Sequence, residues 1–260
     1  MKCLTLATTA CLALGAFSAN ATAAAVIFQD DYENVAPGET PSPTVGSYIR
    51  NDATVVEAGG ANPASPTGGS NISYLWRPAG DGITTQIGDE DPILNGTYRI
   101  EMDLLFADVQ GNDYLQFGLL SDDGTFGGNW MVHGAIFSLR ADGTISWYNH
   151  NPDVHGGTGH KSIVGVSHTA GEWSHVAIEY ELGNDDISLT VGSDTLIMTL
   201  PFTGGVPLNE LSGTFITAGG GAGTGGYFDN VNITSTAIPE PASAALLGLG
   251  GMMMLKRRRH

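Results

Sequence analysis

The sequence predicts an all-β protein built as a single β-sandwich. Between residues 25 and 236, few stretches repeat apolar residues with a helical period, whereas many short runs alternate apolar and polar residues or are β-branched and aromatic. Turn-forming residues separate these runs, and the dipeptides Asp123-Gly124 and Asp142-Gly143 are typical of hairpins. Many short strands joined by tight turns favour a sandwich. No proline-rich linker divides the region, which predicts one domain over residues 25–236.

The expected strands follow one another along this whole region, and Asn184-Asp185 predicts a further hairpin between two of them. Hydrophobic residues make up 42% of the chain, which is enough for a core and excludes wholesale disorder. The runs that satisfy the strand pattern are Val26–Asp31, Thr54–Val56, Ile72–Trp76, Tyr98–Ala107, Tyr114–Leu120, Ala135–Arg140, Thr144–Tyr148, Trp173–Glu181, Ile187–Val191, Asp194–Leu200, Gly213–Thr217 and Gly226–Thr234.

The charge of the chain is unevenly distributed. The 260 residues include 10 Lys and Arg and 27 Asp and Glu, a formal net charge of −17. The segment 25–236 holds 26 of those acids and five basic residues, so its own net charge is −21. Phosphate backbones repel so acidic a domain, which argues against nucleic-acid binding. Anionic ligands in general are also disfavoured, because the basic residues are scarce: Arg50, Arg77, Arg99, Arg140 and Lys161.

Residues 1–24 are typical of a secretory signal peptide. Lys2 supplies the positive start, Leu4 to Phe17 is an uncharged apolar run, and small residues follow, with cleavage expected near Ala23. One alternative is a lipoprotein signal that uses Cys11, although Thr8 stands where such signals carry leucine or a similar residue. Both cysteines of the chain lie in this segment, so we expect a mature protein without thiols or disulfides.

Residues 237–260 form a second apolar segment with a basic end. Pro239-Glu240-Pro241 precedes the uncharged run Ala242 to Leu255, and Lys256 opens the basic cluster that ends the segment. As a helix, that run spans about 21 Å, which is short of the ~30 Å hydrocarbon core of a bilayer. Flanking residues and snorkelling basic side chains would extend it to a marginal membrane span, with the basic end in the cytoplasm.

This order of features strongly resembles the PEP-CTERM sorting signal of exported bacterial proteins. The resemblance implies recognition by exosortase, transient anchoring in the inner membrane, and delivery to the cell surface or extracellular matrix. It assigns recognition, and no catalytic role, to Pro239, Glu240, Pro241, Arg257, Arg258 and Arg259. The alternative is a plain tail anchor in the membrane.

Three segments of residues 25–236 resemble strands of concanavalin A-like, laminin-G-type jelly rolls. Val26–Gly38 is similar to their first strand, Gly171–Leu182 to their central tryptophan-containing strand, and Gly225–Ile233 to their closing strand. The spacing implies one complete jelly roll. Members of this family bind glycans, cleave glycans or mediate adhesion, so the fold does not determine the function.

A pair of carboxylates on one expected strand tests whether the domain is an enzyme. Glu101 and Asp103 point to the same face of a strand. Glycosidases of the laminarinase type carry such a pair followed by a second glutamate, which acts as acid/base about 5–5.5 Å from the nucleophile. Here Leu105 and Phe106 stand at the positions where that glutamate would lie. We therefore expect no enzymatic activity and interpret the pair as polar residues on a half-exposed strand.

Histidines and acids offer two candidate metal sites. His150, His155 and His160 recur every five residues in a glycine-rich segment, where they would either bind a metal or ligand or form a mobile polar loop. Calcium is the preferred metal, because it takes hard oxygen ligands from several carboxylates. The first and last strands of related jelly rolls are neighbours, so the resemblance implies a structural calcium site whose ligands would be Asp30, Asp31, Glu33 and Asp229. The alternative is an ordinary acidic surface.

Aromatic residues are the candidates for sugar binding, because pyranose faces stack on exposed rings. The candidates are Trp76, Trp130, Trp147 and Tyr148. Each of them could instead belong to the core.

The sequence thus supports three functions. The first is a surface-sorted, non-catalytic jelly-roll protein that binds extracellular polysaccharide or mediates adhesion. The second is a glycoside hydrolase or lyase with an unrecognised acid/base, and the third is an inert matrix component.

Overall fold

The computed structural model describes residues 24–76, 83–93, 96–106, 114–121, 134–149, 159–199, 201–202, 207–219 and 225–236. These residues form β-strands and no helix. The strands are β1 (Ala25–Asp30), β2 (Ser47–Asn51), β3 (Thr54–Glu57), β4 (Asn71–Trp76), β5 (Ile83–Ile93), β6 (Thr97–Phe106), β7 (Tyr114–Leu120), β8 (Gly134–Arg140), β9 (Thr144–Asn149), β10 (Gly159–Ser167), β11 (Ser174–Glu181), β12 (Asp186–Val191), β13 (Asp194–Thr199), β14 (Leu211–Gly219) and β15 (Gly225–Thr236).

The strands form two sheets in which every pair is antiparallel. Sheet A has the order β13-β12-β11-β6-β15-β4-β3, and β1 pairs with the second half of β15. Sheet B has the order β10-β9-β8-β7-β14-β5-β2. The fold is therefore the all-β jelly-roll sandwich that the sequence predicts, and its first and last strands are neighbours as expected.

The core lies between the two sheets and follows from the period of two along each strand. On β6, Tyr98, Ile100 and Met102 are buried, whereas Arg99 and Glu101 between them point outward. Apolar residues from both sheets form one continuous cluster, which includes Phe28, Leu104, Phe106, Leu115, Phe117, Phe137, Ile178, Leu189, Ile216, Phe228 and Ile233. Each strand thus has an inner face in this core and an outer face turned away from it.

The predicted strands are confirmed, and the structure adds β2, β5 and β10 to them. Two of these three depart from the usual strand composition: β5 carries Gly88, three acids and Pro92, and β10 carries Gly159 and Gly165. Pairing with neighbouring strands overrides that composition. The expectation of a loop at His160 is consequently wrong, because this residue lies in β10 opposite Tyr148.

Two of the three predicted hairpins are confirmed. Asp142-Gly143 joins β8 to β9, with Gly143 at φ 82°, and Asn184-Asp185 joins β11 to β12. Asp123-Gly124 lies outside the described residues.

Both terminal segments of the chain lie outside the described residues as well. They include the expected signal peptide and the sorting residues Pro239, Glu240, Pro241, Arg257, Arg258 and Arg259. Among the residues that are described, no helix has the length and apolar character needed to cross a membrane.

Candidate functional site

A row of polar side chains crosses the outer face of sheet B. The row consists of Thr217, Gln116, Ser138, Ser146 and Ser162, which stand opposite one another on β14, β7, β8, β9 and β10. All of them except Ser162 are buried, although they point away from the core. Buried polar groups are costly unless they have partners, so this row needs a structural or functional reason.

Three aromatic rings lie above this polar row. The ring centroid of His160 is 5.0 Å from that of Tyr114 and 5.1 Å from that of Tyr148. Tyr114 belongs to β7 and His160 to β10, and β8 and β9 lie between these two strands. The two side chains therefore meet although two strands separate their own, and His160 lies within hydrogen-bond distance of Ser146. We call Tyr114, Tyr148 and His160 the ring cluster; all three are half-buried.

A glycine makes room for one of these rings. Gly219 stands opposite Tyr114, and a Cβ atom at residue 219 would overlap the tyrosine ring. Absence of a side chain at residue 219 thus decides where the Tyr114 ring lies. On the other side of β7, Arg140 is opposite Tyr114, and its Cζ lies 6.0 Å from the ring centroid. That distance is the outer limit of a cation–π contact.

The histidine of the ring cluster is held as a neutral ring. Its Nδ1 is 3.3 Å from Oγ of Ser146, within hydrogen-bond distance. Burial lowers the pKa of His160, and the positive charge of Arg140 lowers it further. At neutral pH the imidazole is therefore uncharged. By contrast, Oγ of Ser138 is buried and finds no hydrogen-bond partner in the part of the chain that the structure describes.

An apolar patch borders the ring cluster. Leu120, Ile136 and Phe215 are buried together on the outer face of sheet B, and Tyr148 packs against them. The combined surface has half-buried rings, apolar neighbours and hydroxyl or amide groups beneath. Such a surface suits a flat ligand that has an apolar face and a hydroxylated edge, as a pyranose has.

The aromatic residues singled out from the sequence occupy different places. Tyr148 belongs to the ring cluster, whereas Trp147 points to the opposite face of β9 and packs against the main core. Trp76 lies in β4, where the structure describes its backbone only. Trp130 lies outside the described residues. Tyr114 was not predicted, because nothing in the local sequence shows that its ring meets residues of β9 and β10.

His160 is the one residue of the predicted histidine group that the structure describes. His150 and His155 lie outside the described residues. The contacts of His160 are with two tyrosine rings and a serine hydroxyl.

The acids predicted for calcium include two that are buried in sheet A. Asp30 accepts a hydrogen bond from the Tyr48 hydroxyl at 2.7 Å and from the Tyr32 N–H at 2.9 Å. Asp229 accepts one from the Ser65 hydroxyl at 2.8 Å and another from the Asn230 N–H, also at 2.8 Å. Burial raises the pKa of each carboxyl group to about 6, because it disfavours the charged form.

The remaining two predicted calcium ligands are exposed and also accept hydrogen bonds from the chain. Oδ1 of Asp31 accepts the Glu33 N–H at 3.3 Å, and Oε1 of Glu33 accepts the Asn71 N–H at 3.0 Å. Among the described residues, no three side chains of the types that ligate metals are grouped so as to hold an ion. Calcium therefore stays a prediction, and the hydrogen bonds explain how the carboxylates are accommodated without it.

The outer face of sheet A carries the predicted carboxylate pair together with a histidine. Glu101 and Asp103 do share this face, as expected, and His175 stands opposite Asp103 on β11. Nδ1 of His175 is 3.0 Å from Oδ1 of Asp103, and its Nε2 is 4.0 Å from Oε1 of Glu101. The same Glu101 oxygen accepts two N–H groups of Arg99, at 2.6 and 2.8 Å.

A strained residue orients the aspartate of this pair. Asn230 has φ 52° at an irregularity of β15, and its side-chain amide donates to Oδ2 of Asp103 at 2.8 Å. Asparagine tolerates this left-handed conformation better than most residues do. Asp103 is thus held between an amide and an imidazole, while Glu101 is neutralised by Arg99.

Comparison with known proteins supports the fold. No family model and no curated protein sequence matches the chain. Lectin II from Ulex europaeus aligns with a TM-score of 0.50 and 12% identity, over 77% of this chain and 100% of that chain. The conserved carbohydrate esterase from Shiga toxin-encoding bacteriophage phi24B aligns with a TM-score of 0.50 and 15% identity, over 82% and 100% of the two chains.

A sialidase aligns more weakly, with a TM-score of 0.48 and 14% identity, over 84% of this chain and 19% of the sialidase. This chain therefore spans about a fifth of that protein. At such identities the first two likenesses establish the fold alone, which is a lectin-like β-sandwich.

Proposed function

We propose that this chain is an exported, non-catalytic glycan-binding protein whose ligand lies on the outer face of sheet B. The observation that carries the proposal is the ring cluster, in which Tyr114, Tyr148 and His160 meet from three different strands. Its rings are half-buried rather than part of the core, and polar groups lie directly beneath them. The fold is shared with a lectin and a carbohydrate esterase, which supports a carbohydrate as the ligand class.

The physical basis is stacking combined with hydrogen bonding. The apolar face of a pyranose loses water when it packs on a ring, and the neutral His160 adds flat surface without a desolvation cost for charge. Arg140 and the exposed Ser162 lie on the same face and offer donors to sugar hydroxyls. The buried apolar patch packs against Tyr148 and so supports the ring on which the ligand would stack.

A glycan array tests the proposal with the purified protein. We expect binding to at least one glycan class, and a loss of about tenfold or more in affinity for Tyr148→Ala and for Tyr114→Ala. The matched control is Tyr74→Ala, which removes a half-buried ring that stacks on Tyr227 at 4.7 Å on the outer face of sheet A. Equal losses in all three variants would contradict the location. Binding to no glycan would favour an inert matrix component.

The proposed cell biology rests on the two ends of the sequence. The signal peptide supports export, and the order Pro-Glu-Pro, apolar run and arginine cluster supports sorting by exosortase to the cell surface or matrix. Before processing, the membrane would hold the protein through residues 237–260.

Hydrolysis is the second candidate function, because one contact favours it. His175 lies beside Glu101 and Asp103, so an imidazole is available where the sequence lacks a second glutamate. Release of reducing sugar from a polysaccharide, abolished by Glu101→Gln, would establish this activity and overturn the non-catalytic proposal. Arg99 neutralises Glu101, which argues against a nucleophile at this place.

A further inference from the structure

Arg140 is placed differently from the other arginine side chain that the structure describes. Arg99 forms salt bridges with Glu101 at 2.6 Å and with Glu179 at 3.3 Å. Within the described part of the chain, the guanidinium of Arg140 has no carboxylate within salt-bridge distance and contacts the ring of Tyr114. In a segment whose net charge is −21, it is unexpected that no acid of the described ranges pairs with this arginine.

The backbone of Arg140 is firmly anchored beside the ring cluster. Its carbonyl oxygen is 2.7 Å from Nε2 of His168 and accepts the Gly143 N–H at 3.0 Å. These contacts hold the end of β8 against the turn that follows it. The charge of Arg140 also reaches the ring cluster, since it contributes to the lowered pKa of His160.

The nearest acid in sequence does not neutralise this arginine. Asp142 lies two residues further along, and its Oδ1 accepts hydrogen bonds from the Thr144 hydroxyl at 2.6 Å and the Thr144 N–H at 3.0 Å. These bonds are the main cause of its lowered pKa. The hydrogen bonds of this carboxylate are therefore made within the turn, and it acts on Arg140 only through space. Among the described residues, no carboxylate occupies the N–H groups of Arg140, which a ligand could then use.

We infer that the ring cluster binds glycans that carry carboxylate groups, such as polymers of uronic acids, and that Arg140 pairs with the ligand carboxylate. This inference rests on the proposed function. A guanidinium presents two parallel N–H groups that match a carboxylate, and such charged hydrogen bonds are stronger than neutral ones. Stacking of the sugar ring on Tyr114 would bring a carboxylate on that sugar close to the guanidinium.

The acidity of the domain does not prevent such binding. At physiological ionic strength, charges on the surface are screened beyond about 8 Å, so the local arginine outweighs distant acids. The scarcity of basic residues predicted that anionic ligands are disfavoured. Beside the ring cluster we expect the opposite, because Arg140 lies there. Position, rather than number, makes Arg140 suitable for an acidic sugar.

The test compares polymers that differ only in their carboxylates. The probes are polygalacturonate and its fully methyl-esterified form, with alginate as a second polyuronate, and the readout is the affinity of the purified protein for each immobilised polymer. We expect the polyuronates to bind at least tenfold more tightly than the ester, and this preference to shrink at high salt.

Substitutions then assign the preference to one residue. Arg140→Gln is expected to reduce polyuronate affinity about tenfold and to leave the ester unaffected, and Arg140→Lys is expected to retain part of the affinity. The control is Arg99→Gln, which makes the same change in net charge on sheet A and should leave polyuronate binding unchanged. If the variants do not fold, the affinities of the unaltered protein for the acid and the ester forms still test whether it prefers carboxylates.

The outcomes separate this inference from the proposed function. Binding of neutral glycans with no preference for the acid form overturns the role of Arg140 and leaves glycan binding intact. Equal losses for Arg140→Gln and Arg99→Gln also overturn it. Binding of no glycan of either kind overturns both.

Discussion

The carboxyl groups of Asp30 and Asp229 are the most perturbed acids that the structure describes. Both are buried, with exposed fractions of 0% and 1%, and in the folded state both have a pKa of about 6 against an ordinary value of 3.8. Between these two pH values the folded state binds more protons than the unfolded state. The contribution of these two groups to stability is therefore greatest below about pH 4, and it is lost as the pH rises to about 6.

The first prediction concerns the conversion of one of these acids to an amide. Asp229→Asn keeps an oxygen for the Asn230 N–H, and its new NH₂ group can donate to the Ser65 hydroxyl. We expect the variant to be more stable than the unaltered protein at pH 7.5, by up to about 3 kcal/mol, and to lose about half of the fall in stability between pH 4 and 6. Urea unfolding at several pH values, in the presence of chelator, measures both effects.

The control for this prediction is Asp194→Asn, which changes an exposed acid on the edge strand β13, away from both buried carboxyl groups, and should leave the fall in stability caused by Asp30 and Asp229 intact. A profile for Asp229→Asn that parallels that of the unaltered protein would show that the buried carboxyl does not titrate in this range. The same preparations test calcium. If calcium binds these acids, it raises the melting temperature at pH 7.5, and equal melting temperatures in calcium and in chelator would count against the site.

At the scale of the element, β7 depends on a glycine in its centre. Gly118 faces outward between Ile136 and Phe215, and a Cβ atom there would overlap the backbone carbonyl oxygen of Ala135 on β8. A flexible side chain could rotate away from such an overlap, but the backbone oxygen of Ala135 cannot move without shifting the strand. Absence of a side chain at residue 118 thus allows β7 and β8 to pair in register.

We therefore predict that Gly118→Ala destabilises the protein by about 2 kcal/mol or more, as overpacking does. Ser138→Ala provides the contrast on the adjacent strand and the same face. It removes a buried hydroxyl that has no hydrogen-bond partner among the residues described, so it should be neutral or slightly stabilising. Chemical denaturation compares the two variants. A Gly118→Ala protein as stable as the Ser138→Ala protein would mean that the strands separate without cost.

At the scale of the whole molecule, acidity and localisation belong to different parts of the chain. The net charge of −17 combines basic ends with a domain at −21. The ends carry the proposed export and sorting, and the β-sandwich carries the proposed ligand site. These functions can therefore be tested separately, because changes at one end leave the sandwich unaltered.

Sorting is tested by replacing Pro239-Glu240-Pro241 with Ala-Gln-Ala. We expect the altered protein to be retained in the membrane fraction with its tail intact, since the recognised residues are missing. Cell fractionation and mass analysis of the C-terminus measure this result, and Thr236→Ala serves as the control next to the motif. Normal processing of the altered protein would favour a plain tail anchor.

Much of the fold could be predicted because the local pattern of residues indicates where most strands and turns lie. Alternation of apolar residues identified strands such as β7 and β11, and Asp142-Gly143 identified the turn between β8 and β9. Two of the strands that were not predicted, β5 and β10, have glycines where β-branched residues are usual. Their conformation depends on hydrogen bonds to a neighbouring strand, and no local pattern reports those bonds.

The sequence by itself determined the fold class, the acidity of the domain and the character of both ends, because composition and local periodicity carry these properties. Only the tertiary structure decided that Tyr114, Tyr148 and His160 meet, that Trp147 faces the core instead, and that the guanidinium of Arg140 lies against the Tyr114 ring. The physical reason is strand order. Residues far apart in the chain share a face only after distant strands pair, and the register of that pairing sets which side chains touch.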